Sequence, residues 1–172
     1  MGAQRAAWSA AFEAESAAAS GHDHAAALLD LVKAFEMIPH RDLVRAAKEV
    51  GFSLKVLRMS LAAYRTARTV GVDGVYSQQV TATRGITAGS GMATSELRVL
   101  LTETIFAIRK AWPVKLKLYV DDLTISASGN GVDVADNVAA ATDMAVGAFR
   151  SLGLDVSVNP LLWPTAPGCL PL

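Results

Sequence analysis

Between Lys115 and Ser126 the sequence KLKLYVDDLTIS alternates, with Leu116, Leu118 and Val120 on one face and Lys115, Lys117, Tyr119 and Asp121 on the other. A period of two marks a half-buried strand, and the pattern resumes at Leu123 and Ile125 after two adjacent aspartates. The segment predicts strand, tight turn, strand, with Asp121 on the polar face beside Tyr119 and Asp122 pointing elsewhere. Adjacent carboxylates repel, and acids at the tip of an apolar hairpin are costly to keep ionised unless something cationic faces them. An Asp-Asp turn is common in its own right, because aspartate favours turns. Its meaning depends on what else the fold brings to it.

A third acid is a candidate. AALLDLV is short and apolar and predicts a buried strand ending near Asp30. Three acids at strand ends invite a divalent ion. Magnesium takes a few carboxylates together with waters and phosphate oxygens, and two such ions about 3.5–4 Å apart stabilise both the attacking and leaving oxygens of phosphoryl transfer.

The rest of the chain supplies helices around these strands. Residues 3–19 are alanine-rich, carry Trp8 and Phe12 four apart, and predict a first helix that stops before SGHDH. Pro39 opens a helix with Leu43, Val44, Ala47 and Val50 on one face, ended by Gly51. Ser53 can cap the next, which turns Leu54, Leu57, Leu61 and Tyr64 inward. Asp73-Gly74 is a favoured type I′ dipeptide and predicts a hairpin. After the glycine-rich RGITAGSG, residues Leu97, Leu100, Leu101, Thr104, Ile105 and Ile108 mark a helix that Trp112-Pro113 ends. Val134, Val138, Ala141, Ala145, Phe149 and Leu152 mark another, followed after Gly153 by a strand LDVSV. Beyond Asn159 the proline-rich PLLWPTAPGCLPL breaks all periodicity and predicts neither sheet nor helix.

A chain of 172 residues suits one domain, and 52% hydrophobic content with only 19% charge is a globular composition, too low in charge for a disordered acidic or basic tail. No apolar run has the length of a membrane span, and MGAQRAAWSAAFEAES lacks the regions of a signal peptide. An intracellular protein, nuclear or cytoplasmic and not secreted, without a membrane partner, is the expectation. Cys169 is the only cysteine, which excludes an internal disulfide and a cysteine-rich zinc site. Net charge is zero, yet residues 40–120 hold 13 Lys/Arg against 5 Asp/Glu, with both ends acidic. That is the distribution expected if acids gather at metal ions and bases at phosphates, although solvated helix faces account for such charges equally well.

LDLVKAFEMIPH, RGITAGSGM and LYVDDLTIS, in this order, resemble the three central palm motifs of reverse transcriptases, especially those of non-LTR retrotransposons and group II introns. The resemblance covers residues 25 to about 159. It implies an α+β polymerase palm, an RRM-like antiparallel sheet with packed helices, with fingers and thumb largely missing. Residues 1–159 are then a palm fragment with an N-terminal helix, and 160–172 an irregular tail. The implied activity is RNA-directed DNA polymerisation, a nucleotidyl transfer from a dNTP to a DNA primer on an RNA or DNA template, with Mg2+ (Mn2+ as substitute) as cofactor.

Residue by residue, Asp30, Asp121 and Asp122 match the catalytic acids, with Asp30 and Asp121 as principal metal partners and the Leu31 backbone carbonyl as a further ligand. Phe35 matches the bulky residue that closes the sugar pocket against a 2′-hydroxyl. Arg84, Gly85, Gly89 and Ser90 match the nucleotide loop, where glycine lets backbone approach the nucleotide closely. Tyr119 is expected to pack against nucleic acid. His40, like His22 and His24, is read as structural.

Four departures stand out. Thr87, Ala88 and Gly91 replace the usual Pro, Gln and Pro, and Pro160-Leu161-Leu162-Trp163 replaces a stretch that carries a lysine, a candidate proton donor to pyrophosphate. The rival readings are a catalytically inactive remnant or binding module on the same fold and, less favoured, a palm-type nucleotide cyclase.

Overall fold

The computed structural model describes residues 3–87 and 89–162; Ala88, Cys169 and the rest of the tail beyond Leu162 lie outside them. Helix α1 (Ala3–Ala19) leads into strand β1 (Asp23–Val32), a short helix α2 (Ala34–Met37), and helices α3 (His40–Glu49) and α4 (Leu54–Tyr64). A small hairpin, β2 (Gly71–Val72) and β3 (Val75–Tyr76), precedes helix α5 (Ala93–Ala111). The hairpin of β4 (Lys115–Tyr119) and β5 (Asp122–Gly129), helix α6 (Asp133–Ser151) and strand β6 (Asp155–Leu162) complete the order.

Four strands form one antiparallel sheet in the order β4-β5-β1-β6, with β2-β3 apart from it. This is the expected α+β arrangement. One face of the sheet carries the core: Leu29, Leu31, Leu123 and Ile125 are buried against Leu43, Leu97, Leu101, Ile108, Ala141 and Phe149 from α3, α5 and α6. Burial of such side chains stabilises by about 1.5–3 kcal/mol each, so this single layer of helices on sheet accounts for most of what holds β1 and β5 in place.

Several elements follow directly from local chemistry. Asp73 and Gly74 both have positive φ, +50° and +82°, the geometry that a type I′ turn demands and that this dipeptide tolerates. Trp112 is extended at φ −131° and ends α5 one residue before Pro113, as the clash of the proline ring with a helical predecessor requires.

Four expectations need correction. Strand β1 begins at Asp23 and passes Asp30 by two residues, because pairing with β5 and β6 extends it beyond its apolar run. Helix α2 was not foreseen; Lys33, at φ +50°, turns the chain directly from β1 into it. Leu54 is 47% exposed instead of inward, since α4 begins there and its inner stripe starts at Leu57. Strand β6 continues through Pro160 to Leu162, opposite Ala25. It lies at the sheet edge, where a proline needs no partner for a missing N–H. No described helix is long and apolar enough to cross a membrane.

Candidate active site

Successive residues of β1 point to opposite faces of the sheet. Leu29 and Leu31 enter the core, so Asp30 faces away from it and is exposed. On that far face exposure rises along the strand from His24 (7%) and Ala26 (8%) to Val32 (41%). The covered end lies under α1: Glu13 pairs with Lys117 at 3.1 Å and Lys115 at 3.8 Å, and Lys117 donates to the Ser9 hydroxyl at 2.7 Å. The open end carries the acids.

Register decides which acids meet. Asp30 stands directly opposite Asp122, and Asp122 opposite Tyr119, so these three side chains share the open face; Ser157 flanks Asp30 on the other side. Directly opposed residues have Cβ atoms about 4.5–5.5 Å apart. The alternation argument placed Asp121 on this face and Asp122 off it, and the structure reverses the assignment. Val120 and Asp121 form the two-residue turn itself, so period-two counting restarts at Asp122. Val120 has φ +57°, a left-handed conformation that a β-branched residue adopts only at a cost of about 1–3 kcal/mol.

The three carboxylates interact. Burial first, and then the neighbouring Asp121 and Asp30 carboxylates, raise the Asp122 carboxyl above its ordinary value. Mutual repulsion of this kind is what a divalent cation relieves. Among the described residues no group of three or more His, Cys, Asp or Glu side chains is placed to hold a metal ion by itself. The acids fit an ion that completes its shell with water and substrate phosphate, as Mg2+ does, better than one held by protein alone. Leu31, the expected carbonyl ligand, follows Asp30 and pairs with Val156.

The other half of the site is the glycine-rich loop. Backbone hydrogen bonds stitch it to the segment after β1: Ile86 N–H to Phe35 O at 2.7 Å, Gly85 N–H to Ile38 O at 2.8 Å, and His40 N–H to Thr83 O at 3.3 Å, with Arg84 bridged to Pro39. Phe35, half-buried against the core, thereby sits beside Arg84 and Gly85. Gly85 has φ +89°, and a Cβ there would stand 3.0 Å from Glu36 O, so only glycine fits. Gly89 has φ +83° but open space around it, and Arg84 is exposed. Ser90 accepts from the Met92 N–H at 3.3 Å, at the entrance to α5.

Two of the three histidines, His24 and His40, are placed as structural residues, while His22 is exposed. His40 is fully buried at the start of α3, with Nε2 donating to Gly85 O at 2.8 Å, and His24 is buried with Nδ1 2.8 Å from Ser128 Oγ. Sequence reasoning missed Tyr64 and Glu96 as neighbours of the loop. Tyr64 was visible only as one of an inward stripe, and Glu96 only as an acid beside Leu97; nothing local announces that they meet.

Among curated proteins, no sequence matches the chain. The sequence profile of reverse transcriptases (RNA-dependent DNA polymerases) matches residues 3–159, nearly the whole described fold. With that match spanning both halves of the site, the chain belongs to the reverse transcriptase (RNA-dependent DNA polymerase) family.

Proposed function

We propose that this chain is the palm of an RNA-directed DNA polymerase, joining a dNTP to a primer 3′-hydroxyl with Asp30, Asp121 and Asp122 as holders of two Mg2+ ions. The supporting observation is the pairing of Asp30 with Asp122 at the open end of the sheet, where burial and then the neighbouring Asp121 and Asp30 carboxylates raise the Asp122 carboxyl. When bound, such ions lower the pKa of the attacking hydroxyl and neutralise charge on the triphosphate.

The chain's own residues do the rest. The sheet orients the acids without help from flexible side chains. Phe35, tied through its carbonyl to the loop, occupies the side where a 2′-hydroxyl of the sugar is excluded. Arg84 offers an exposed guanidinium to phosphate, and the turns at Gly85 and Gly89 keep backbone free of side chain where a nucleotide approaches. Tyr119, beside Asp122, presents its ring to the primer end. The motif wording supports a retroelement origin and an RNA template.

The test is a titration of melting temperature with Mg2+ and Mn2+. Wild type is expected to gain stability, by mass action, and Asp30→Ala to lose that gain. Asp121→Asn, in a chain completed with fingers and thumb, is expected to abolish primer extension; undiminished extension sinks the assignment. A second reading, an inactive palm kept for binding, draws on Pro160 and the residues after it standing where the family carries lysine. It predicts no metal-dependent shift in either protein.

A further inference from the structure

The loop is held by more than its backbone. Tyr64, the last residue of α4, places its hydroxyl 2.8 Å from Glu96 Oε2 and 2.6 Å from Ser90 Oγ. Glu96, in the first turn of α5, is 0% exposed, and its Oε1 has no hydrogen-bond partner among the described residues.

These contacts have a direction. Tyr64 gives its one proton to Glu96 Oε2, so the Ser90 hydroxyl must then donate to Tyr64. Ser90 in turn accepts from the Met92 N–H. A chain of donors runs from the α5 backbone through Ser90 and Tyr64 to a buried acid, each bond polarising the next. Burial and the bond to Glu96 raise the Tyr64 hydroxyl above its ordinary value, while the bond from Ser90 lowers it.

Packing alone does not call for this arrangement. A leucine at position 96 fills the core without burying an acid that has one orphaned oxygen, and an unpaired buried polar atom is unfavourable. The position at the positive end of α5 offsets part of that cost. What the acid achieves is to fix Tyr64, and Tyr64 fixes Ser90.

Neighbouring contacts point the same way. Arg68 Nη2 donates to Thr87 Oγ1 at 3.1 Å and to Tyr64 O at 3.3 Å. His40, which donates to Gly85 O, accepts from Arg65 Nε at 3.3 Å. Gly85, Thr87 and Ser90 are each gripped by a different side chain.

We propose that Tyr64 and Glu96 are positioning residues for the nucleotide loop: acting through Ser90, they fix the end of the loop where it enters α5 and set dNTP affinity without touching the nucleotide. The inference rests on the polymerase reading above. It makes α4 and the first turn of α5 part of the nucleotide site.

The experiment uses the full chain with two readouts, amide hydrogen exchange across residues 85–92 and calorimetric binding of dTTP with Mg2+. Tyr64→Phe removes only a hydroxyl and leaves the ring in the core. It is expected to speed loop exchange about 3- to 10-fold and weaken dTTP binding by a similar factor, with β1 and β5 unchanged. Glu96→Leu is expected to act in the same direction, and Glu96→Gln, which keeps an acceptor for Tyr64, to stay within about twofold of wild type.

Unchanged loop exchange in Tyr64→Phe overturns the relay, as does a rise spread equally over the whole chain. Faster loop exchange with unaltered dTTP affinity overturns its link to the nucleotide. A wild type that binds no dTTP overturns the polymerase reading, and the exchange rates then decide the relay alone.

Discussion

Asp30 and Asp122 face each other because β1 and β5 are paired from Asp23–Gly129 to Asp30–Asp122, over a core that includes Leu29, Leu31, Leu123 and Ile125. The glycine-rich loop has no such ladder. It owes its place to individual hydrogen bonds with Phe35, Ile38, His40, Tyr64 and Arg68. The acids move only if the sheet slips, and a slip of one residue sends every side chain of β5 to the wrong face. The loop can shift by small steps, each governed by one bond. A candidate site divided in this way has a rigid floor and an adjustable wall.

The sharpest test of the floor is to change its chemistry without its geometry. Asp122→Asn should reduce primer extension to background in a chain completed with fingers and thumb, yet raise the melting temperature of the 172-residue chain without metal. The sign follows from the shift: a carboxyl raised above its ordinary value in the fold favours folding when protonated, and that contribution is lost as pH rises through the folded value. Neutral asparagine keeps the relief at every pH. A lower melting temperature refutes the repulsion, and retained extension refutes the catalytic role.

Leu29→Ala attacks the support beneath the floor. Leu29 is wholly buried next to Asp30, and truncation should cost about 2–5 kcal/mol, read by denaturant titration as a lower midpoint with unchanged slope. A cost below about 1 kcal/mol means that the core does not hold the register.

Gly85→Ala attacks the wall. Positive φ and a 3.0 Å approach to Glu36 O should cost about 1–3 kcal/mol, and the loss should appear first in exchange of the loop amides, not in those of β1. Equal loss in both regions abolishes the distinction between floor and wall. Phe35→Val, where the two halves join, should raise ribonucleotide use relative to deoxyribonucleotide in a completed enzyme, and an unchanged sugar preference returns Phe35 to the core.

The smallest effect concerns the covered end of the same face. Desolvation lowers the His24 imidazole, helped by Lys115 and Lys117 and opposed by Glu13. In the window between its folded value and its ordinary one near 6.5, the unfolded chain binds the extra proton, so stability falls as pH drops through that range. His24→Gln should flatten the fall in melting temperature between about pH 7.5 and 5.5. An identical slope in the variant assigns the dependence to other groups.

Much of this was legible in sequence because the determining forces are local. Asp73-Gly74 needs only its own backbone to specify a turn, and the Leu97-to-Ile108 stripe needs only one helix face. Asp30 and the aspartate pair were legible as acids out of keeping with their apolar surroundings. Their partnership was misjudged because a two-residue turn resets alternation, and nothing in KLKLYVDDLTIS states where the turn begins. Pro160 was misjudged because tolerance of proline depends on whether β6 lies at the edge, a property of the sheet. Glu96 was silent for the same kind of reason: its partner Tyr64 is 32 residues away, and only the packing of both α4 and α5 on α3 brings them together.

Val120 carries the consequence furthest. Ranked by thermal resistance alone, substitutions at the turn should place Gly and Asn above valine, since both accept a left-handed backbone at less cost. A selection scheme that rewards only survival of heat would rewrite this position early, and with it the angle at which Tyr119 and Asp122 leave the turn. Selection for stability and selection for the proposed activity therefore read different sequences at position 120, and a programme to toughen this chain should leave that residue alone.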